Sequence, residues 1–449
     1  KKARLIGADD SAEGTKWYAY LHIRETDPWW NNQTYINTLD PEAMRRFIEV
    51  TYDRYLETVG DDFGGLIPAI FTDEPQISFK KELPFAKYTD DITIPWTDDL
   101  PQTFADAYGE DLLKYLPEIF WQLPEGELSL IRYHYHDHIC ERFTQAFADQ
   151  CGGWCRDHKL MLTGHMLSED SLASQSEALG EAMRAYRGFD LPGIDMLCDS
   201  RHFVTAKQAQ SAVHQYGRQG MLSELYGVTG WDFDFRGHKF QGDWQAALGV
   251  TVRVHHLFWV SMKGEAKRDY PASIGYQSPW WKDYSLVEDH FARVNTALTR
   301  GKPAVKVGVI HPIESYWINF GPADQTGGKR AQMNENFESL TQWLIEGMLD
   351  FDFISESLLP DLCEQGGAPL KVGEMEYDAI VVPSCETLRK TTVERLEPFR
   401  ENGGKLIFMG DAPSLVDAVQ SDYAKSLFER PLLAQYTSLS DTHEPFKLL

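Results

Sequence analysis

Apolar and polar positions along the chain fall into two alternating periods. Short apolar runs recur in the first 300 residues: "IPAIFTDEP", "KLMLTGHM", "GIDMLCD", "GMLSELYG" and "GVTVRVHHLFWVS". Each is four to eight residues long in its apolar part and is bounded by turn residues, as expected of strands buried on both faces. Between them lie stretches with helical spacing. "DPEAMRRFIEVTYDRYLETVG" carries Asp40 as N-cap, Pro41 at the first helical position and Gly60 at its end. "LSLIRYHYHDHICERFTQAFADQCGGWCRDH" places Ile131, Tyr135, Ile139, Phe143 and Phe147 on one stripe. "SEALGEAMRAYRGF" and "TAKQAQSAVHQYGRQ" are further helices. "TKWYAYLHI" and "QTYINTL" are expected to be early strands, and the Pro- and acid-rich segment Gln76 to Glu127 an insertion over one face.

About seven strand–helix units in some 300 residues favour a closed (β/α)8 barrel over an open sheet. Its first unit is expected upstream of Lys1 or in "ARLIGA". A boundary falls at "TRGKPA". Beyond it, "VKVGVIHP", "DFDFIS", "YDAIVVPSC" and "GKLIFMGD" alternate with helices, which predicts a smaller flavodoxin-like α/β domain. The division expected is therefore 1–300 and 301–449. "GVIHPIES" lacks G-x-G-x-x-G, so nothing marks a nucleotide site there.

With 449 residues, two domains are the natural expectation. No apolar run approaches the roughly 20 residues of a membrane helix. A net charge of −25 argues against nucleic acid and anionic membranes as partners. The 13 Trp, 20 Tyr and 24 Phe include loop-like groups, "DPWWNNQ" and "SPWWKDY", whose rings suit the C–H faces of sugars. The six cysteines lack metal-site spacing and read as buried free thiols. They favour a reducing compartment, and with no leader visible from Lys1 onward the expected location is cytoplasmic.

Strand ends of a barrel share one rim, where the active site sits. "FTDEP" delivers Asp73 and Glu74 there. "TGHMLSED" delivers His165, with Glu169 a further candidate; "GIDMLCD" delivers Asp195 and Asp199; "LSELYG" delivers Glu224, then Tyr226, Trp231 and Asp232. "RVHHLFWVS" brings His255, His256 and Trp259, of which alternation lets one histidine reach the cavity. Taking "FTDEP" as the fourth strand end makes "LSELYG" the seventh, opposite it across the mouth. Two facing carboxyl groups are what glycoside cleavage needs, one as acid and one as base or nucleophile. Glu74 and Glu224 are the expected pair. Asp73, His165, Asp195, Tyr226, Trp231, His256 and Trp259 would contact the sugar. His134 and His138 share a helix face but lack H-E-x-x-H, so they read as helix surface.

"IPAIFTDEP", "TGHMLSED", "LPGIDML", "SELYGVTGWDFDF" and "VGVIHPIES" together resemble glycoside hydrolase family 106, the α-L-rhamnosidases. The C-terminal part is similar to the amidotransferase-like domain that follows the barrel in family 42 β-galactosidases. The resemblance implies an exo-acting glycosidase with two catalytic glutamates, carried onto Glu74 and Glu224. It further implies inversion of configuration and calcium in substrate binding, with no ligand set placed. A retaining family 42-like β-galactosidase and a non-catalytic sugar-binding protein are the alternatives. The partner expected is an oligosaccharide or glycoside, and the second domain is a plausible element of oligomer assembly.

Overall fold

The computed structural model describes residues 6–7, 9–14, 16–263 and 274–423. Five parallel strands form one sheet in consecutive order: β1 (Ala69–Thr72), β2 (Met161–Gly164), β3 (Leu191–Met196), β4 (Met221–Leu225) and β5 (Val250–His255). Helices link the strands, so the sheet is a half-barrel of β/α units. Among the described residues no strand precedes Ala69. "TKWYAYLHI" and "QTYINTL" are not strands: Tyr18, Tyr20, Leu21 and Ile23 are exposed, and neither segment pairs with the sheet. Their β-formers had no neighbouring strand to pair with, and propensity alone does not make a ladder. The expected first unit in "ARLIGA" falls largely outside the described residues.

β1 is also less buried than its apolar sequence suggests. It forms an edge of the sheet, and Leu66 and Phe71 are exposed. β2, β3 and β4 carry the buried interior.

Local chemistry accounts for the helices. Asp40 accepts a hydrogen bond from Glu42 N–H and starts a helix at Pro41, but the helix breaks at Thr51 and restarts at Tyr52. The Ser129 hydroxyl caps the helix Leu130–Phe143 through Arg132 N–H at 3.1 Å. That helix runs through a π-helical turn, Thr144–Asp149, into Gln150–Asp157. Gly152 is needed there, since a Cβ would lie 2.1 Å from the Gly188 carbonyl oxygen. The helix is mostly buried, which corrects the surface reading of its histidines. His134 bonds Glu110 at 2.9 Å and His138 bonds Thr103 at 2.9 Å, so both are structural.

A second parallel sheet has the order β7–β6–β10–β12, built from β6 (Val307–Ile310), β7 (Asp352–Ile354), β10 (Ala379–Pro383) and β12 (Lys405–Met409). Between β7 and β10 lies the hairpin β8 (Leu370–Val372) and β9 (Met375–Tyr377). β11 (Thr387–Leu388), β13 (Leu415–Val416) and β14 (Val419–Gln420) form a small third sheet. The sequence reading had neither of these smaller sheets, because strands of two or three residues carry no readable period. One face of the second sheet packs on the half-barrel's helices: Val309, Trp317, Phe353 and Ile407 share a core with Tyr133, Cys140, Leu172 and Val204. The other face packs Ile380, Val382, Leu396 and Phe399 together. All six cysteines are free, and all but Cys198 are buried. Among the described residues no helix is long and apolar enough to cross a membrane.

Candidate active site

The carboxyl ends of β1 to β4 converge on one cluster. β2 ends at Gly164, opposite Thr72 of β1. The backbone there is so close that a Cβ on Gly164 would lie 1.9 Å from the Thr72 carbonyl oxygen, and Gly164 has φ +124°. Gly164 therefore lets the strand ends meet and delivers Asp73 and His165 side by side. Gly164→Ala is expected to destabilise the fold by about 2–5 kcal/mol through overpacking and backbone strain together. A urea titration checks this, and an unchanged midpoint would contradict the reading.

His165 is fully buried, and its Nε2 lies 2.9 Å from Glu224 Oε2 and 3.5 Å from Asp73 Oδ1. Phe71 packs against the ring edge-on at 5.6 Å. Asp195 and Glu224 are direct cross-strand partners on β3 and β4. Two carboxylates in that register repel, and one must hold a proton more tightly. Asp195 is pushed up to about 6, first by burial, then by Glu224, Glu74 and Asp73, with His165 opposing. Glu74 is exposed, yet partial desolvation raises it above the ordinary carboxylate range, helped by Asp73 and Glu224 and opposed by His165. For His165, burial disfavours the charged ring. The hydrogen bond that the ring donates to Glu224 and the charges of Asp195, Glu169 and Glu224 outweigh it and raise the ring to about 9.

Glu169 belongs to this cluster more firmly than the sequence indicated. It is buried at 5% exposure, and burial raises it to about 8, with Asp195 and Asp170 adding to the shift and His165 opposing. Glu169 Oε1, Asp195 Oδ1 and His165 Nδ1 are buried without a protein partner among the described residues, three orphaned polar atoms in one cluster. The Glu169 and His165 shifts act alike on stability. Below pH 4.5 Glu169 is protonated in both folded and unfolded chains; above it, the unfolded chain ionises first and stability falls until about pH 8. His165 adds stability that is intact below 6.5 and is lost as pH rises through about 9. Urea midpoints are therefore expected to fall between pH 6.5 and 9, with a shallower slope in Glu169→Gln. Equal slopes would refute the buried-carboxyl assignment.

Backbone strain marks the same rim. Non-glycine residues in the left-handed region follow each of the first four strands: Glu74 at φ 47°, Ser168 at 58°, Cys198 at 56°, and Tyr226 at 72° with Val228 at 58°. Such conformations persist where surrounding structure imposes them, and they concentrate at functional sites.

The structure places the remaining candidates unevenly. Trp231 and Trp259 meet edge-to-face at 5.6 Å and form an aromatic wall on the loops after β4 and β5, with Trp231 39% exposed. His256 packs against Gly227, where a Cβ would lie 2.7 Å from its ring. His255 is directed to Tyr284 and Glu288 instead. Tyr226, expected to contact the sugar, is fully buried, and its hydroxyl donates to the His238 carbonyl at 3.0 Å and accepts from Arg253 at 3.2 Å, so its polar atom is engaged within the loop.

Asp73, His165 and Glu224 offer ligand atoms within 4.8 Å of one another. The trio does not fit calcium, which takes six to eight oxygen donors. One of its three donors is an imidazole nitrogen, and the ring holds its proton against Glu224.

No protein-family model matches the chain. A Formosa agariphila protein provisionally named a beta-glucuronidase is 23% identical over 332 residues, covering 70% of this chain and 25% of that protein. Among solved structures, a rhamnosidase from Novosphingobium sp. PP1Y matches with a TM-score of 0.64 at 16% identity, over 92% of this chain and 39% of that one. A family 42 exo-carrageenase from Bacteroides ovatus matches at 0.59 and 12% identity, over 91% and 58%. A family 42 β-galactosidase from G. stearothermophilus matches at 0.54 and 13%, over 86% and 57%. The chain thus spans about a quarter of the curated relative and well under half of the rhamnosidase. The fold is that of the barrel glycoside hydrolases. Within that class, the rhamnosidase has a higher TM-score than these two family 42 structures.

Proposed function

We propose that the protein is a glycosidase that removes a terminal sugar of the α-L-rhamnoside type with inversion of configuration. The observation that carries this is the His165–Glu224 hydrogen bond inside a cluster of carboxyl groups at the strand ends. Glu74, whose environment favours the protonated form, is the general acid that protonates the leaving oxygen. Glu224, held by the charged His165, is the base that activates water. Asp73 and Asp195 orient sugar hydroxyls, and Trp231 and Trp259 stack on a ring face, with His256 behind them. The chemistry needs carboxyl and imidazole groups alone, and no step is assigned to calcium. Activity is expected to survive dialysis against EDTA; loss restored by added calcium would refute that.

The order β7–β6–β10–β12 supports a flavodoxin-like reading of the second sheet, with a domain boundary at 300/301. The buried thiols are compatible with the cytoplasmic location proposed. A retaining β-galactosidase is the second reading, favoured by the family 42 structures.

Aryl α-L-rhamnosides, β-D-galactosides and β-D-glucuronides assayed side by side, with the first-formed anomer read by NMR, test the proposal. Turnover of the rhamnoside with inversion is expected. Turnover of the galactoside with retention would install the second reading. Sugar binding without hydrolysis of any glycoside would remove both. Glu74→Gln is expected to lose about 10²–10⁴-fold on poor leaving groups and far less on a dinitrophenyl glycoside, which departs without a proton. Equal losses on both would contradict the acid role.

A further inference from the structure

Behind the rim, the segment that leaves β1 crosses into a buried cluster of cations. Lys80 is 2% exposed, and its backbone N–H is fixed by the Glu177 carbonyl at 2.9 Å. Its ammonium lies 3.4 Å from the centre of the Phe320 ring and forms no ion pair among the described residues. Arg330, 4% exposed, faces the same ring at 5.0 Å. Its Nη atoms are taken by Glu82 and by the Tyr316 hydroxyl, and its Nε has no partner. His136, 3% exposed, lies 5.3 Å from that ring. Its Nδ1 is bonded to the Arg132 carbonyl at 2.9 Å, and its Nε2 has no partner. Arg132 is fully buried and spends its guanidinium on Gln122 and the carbonyls of Ile119, Trp121 and Ile318.

Two buried cations and one histidine thus flank a single phenyl ring, with the buried Arg132 beside His136 through its carbonyl, and one carboxylate, Glu82, pairs directly with Arg330. An ammonium taken out of water without a counter-charge is strongly unfavourable, and an aromatic face compensates it in part. Burial first, and then the like charges of Arg132 and Arg330, depress Lys80 well below the ordinary lysine range, and Glu82 and Glu177 oppose this incompletely.

We propose that this cluster binds a small monovalent anion of the halide class, with Lys80 Nζ–H and Arg330 Nε–H as its donors and His136 beside it. A halide is preferred over phosphate or sulfate because the donors left over, one ammonium and one lone guanidinium Nε–H, form no bidentate fork. Both guanidinium forks that would grip an oxyanion bidentately are already engaged. The site ties together three elements: the segment six residues beyond Glu74, the helix Leu130–Phe143 and the helix Ala323–Glu346. Its occupancy would therefore fix the loop that carries the acid.

Crystals soaked in sodium bromide and measured at the bromine edge are expected to show an anomalous peak within hydrogen-bond reach of Lys80 Nζ and Arg330 Nε. No anomalous peak there, or a water in its place, would overturn the proposal. In solution, the melting temperature of the wild-type chain is expected to rise when sodium gluconate is replaced by sodium chloride at constant ionic strength. Lys80→Met should lose that rise. A wild-type melting temperature indifferent to chloride, or an undiminished rise in Lys80→Met, would also overturn it. The bromide measurement decides alone if the variant does not fold.

Discussion

Glu224→Gln is expected to lower kcat by about 10²–10⁴-fold, with the folded chain intact. The substitution keeps size and an oxygen acceptor, so the 2.9 Å contact with His165 Nε2 can persist. What disappears is the charge that removes a proton from water. It is also part of what holds the His165 ring at about 9, together with Asp195 and Glu169. Two readouts should therefore move together. Turnover collapses, and the histidine titrates at lower pH, visible in its ring NMR signals. A purely structural Glu224 would move stability and leave the residual activity's chemistry untouched. Wild-type turnover in Glu224→Gln on a confirmed substrate would reject the pair.

Parts of this site were legible in the sequence, and the reason is positional. A carboxylate or histidine directly after an apolar run has one place to go in a sheet of parallel strands, the common rim. That reasoning puts Asp73, Glu74, His165, Asp195 and Glu224 on the rim, and the sheet order β1 to β5 brings them to one end. The pairing of His165 with Glu224 was not legible, because it depends on the close approach of Gly164 to Thr72. The burial of Glu169 and Tyr226 was not legible, for one reason. Both sit in loops with left-handed residues, and both side chains are buried there. No periodicity encodes such turns. "TKWYAYLHI" failed differently: strand-forming residues were present, and a partner strand was not.

The same distinction between a pattern and its partners governs stability at the junction of the two large sheets, where Arg184→Met is expected to cost about 3–5 kcal/mol. Arg184 is 2% exposed and sits among acids from two segments, Asp137 and Glu141 on the helix Leu130–Phe143 and Glu181 three residues before it. It donates to Asp137 Oδ1 at 2.8 Å, to Glu181 Oε2 at 3.1 Å and to the Ser357 hydroxyl at 3.0 Å. Ser355 and Ser357 in turn bond Glu181, and Arg389 reaches Asp137 and Glu314, so the network joins the half-barrel to the second sheet. Burial alone would push the Asp137 carboxyl up, but Arg184 and Arg389 hold it well below its ordinary range. Methionine fills the volume but leaves Glu181, 1% exposed, with hydroxyl donors and no cation. The cost is therefore that of an orphaned charge and should be largely reversible by removing that charge. Glu181→Gln in the Arg184→Met background is expected to restore part of the lost stability, a coupling read from urea midpoints of the two single variants and the double. If the double variant loses the full sum of the singles, the pair is not coupled and the junction rests on packing around Trp317 instead.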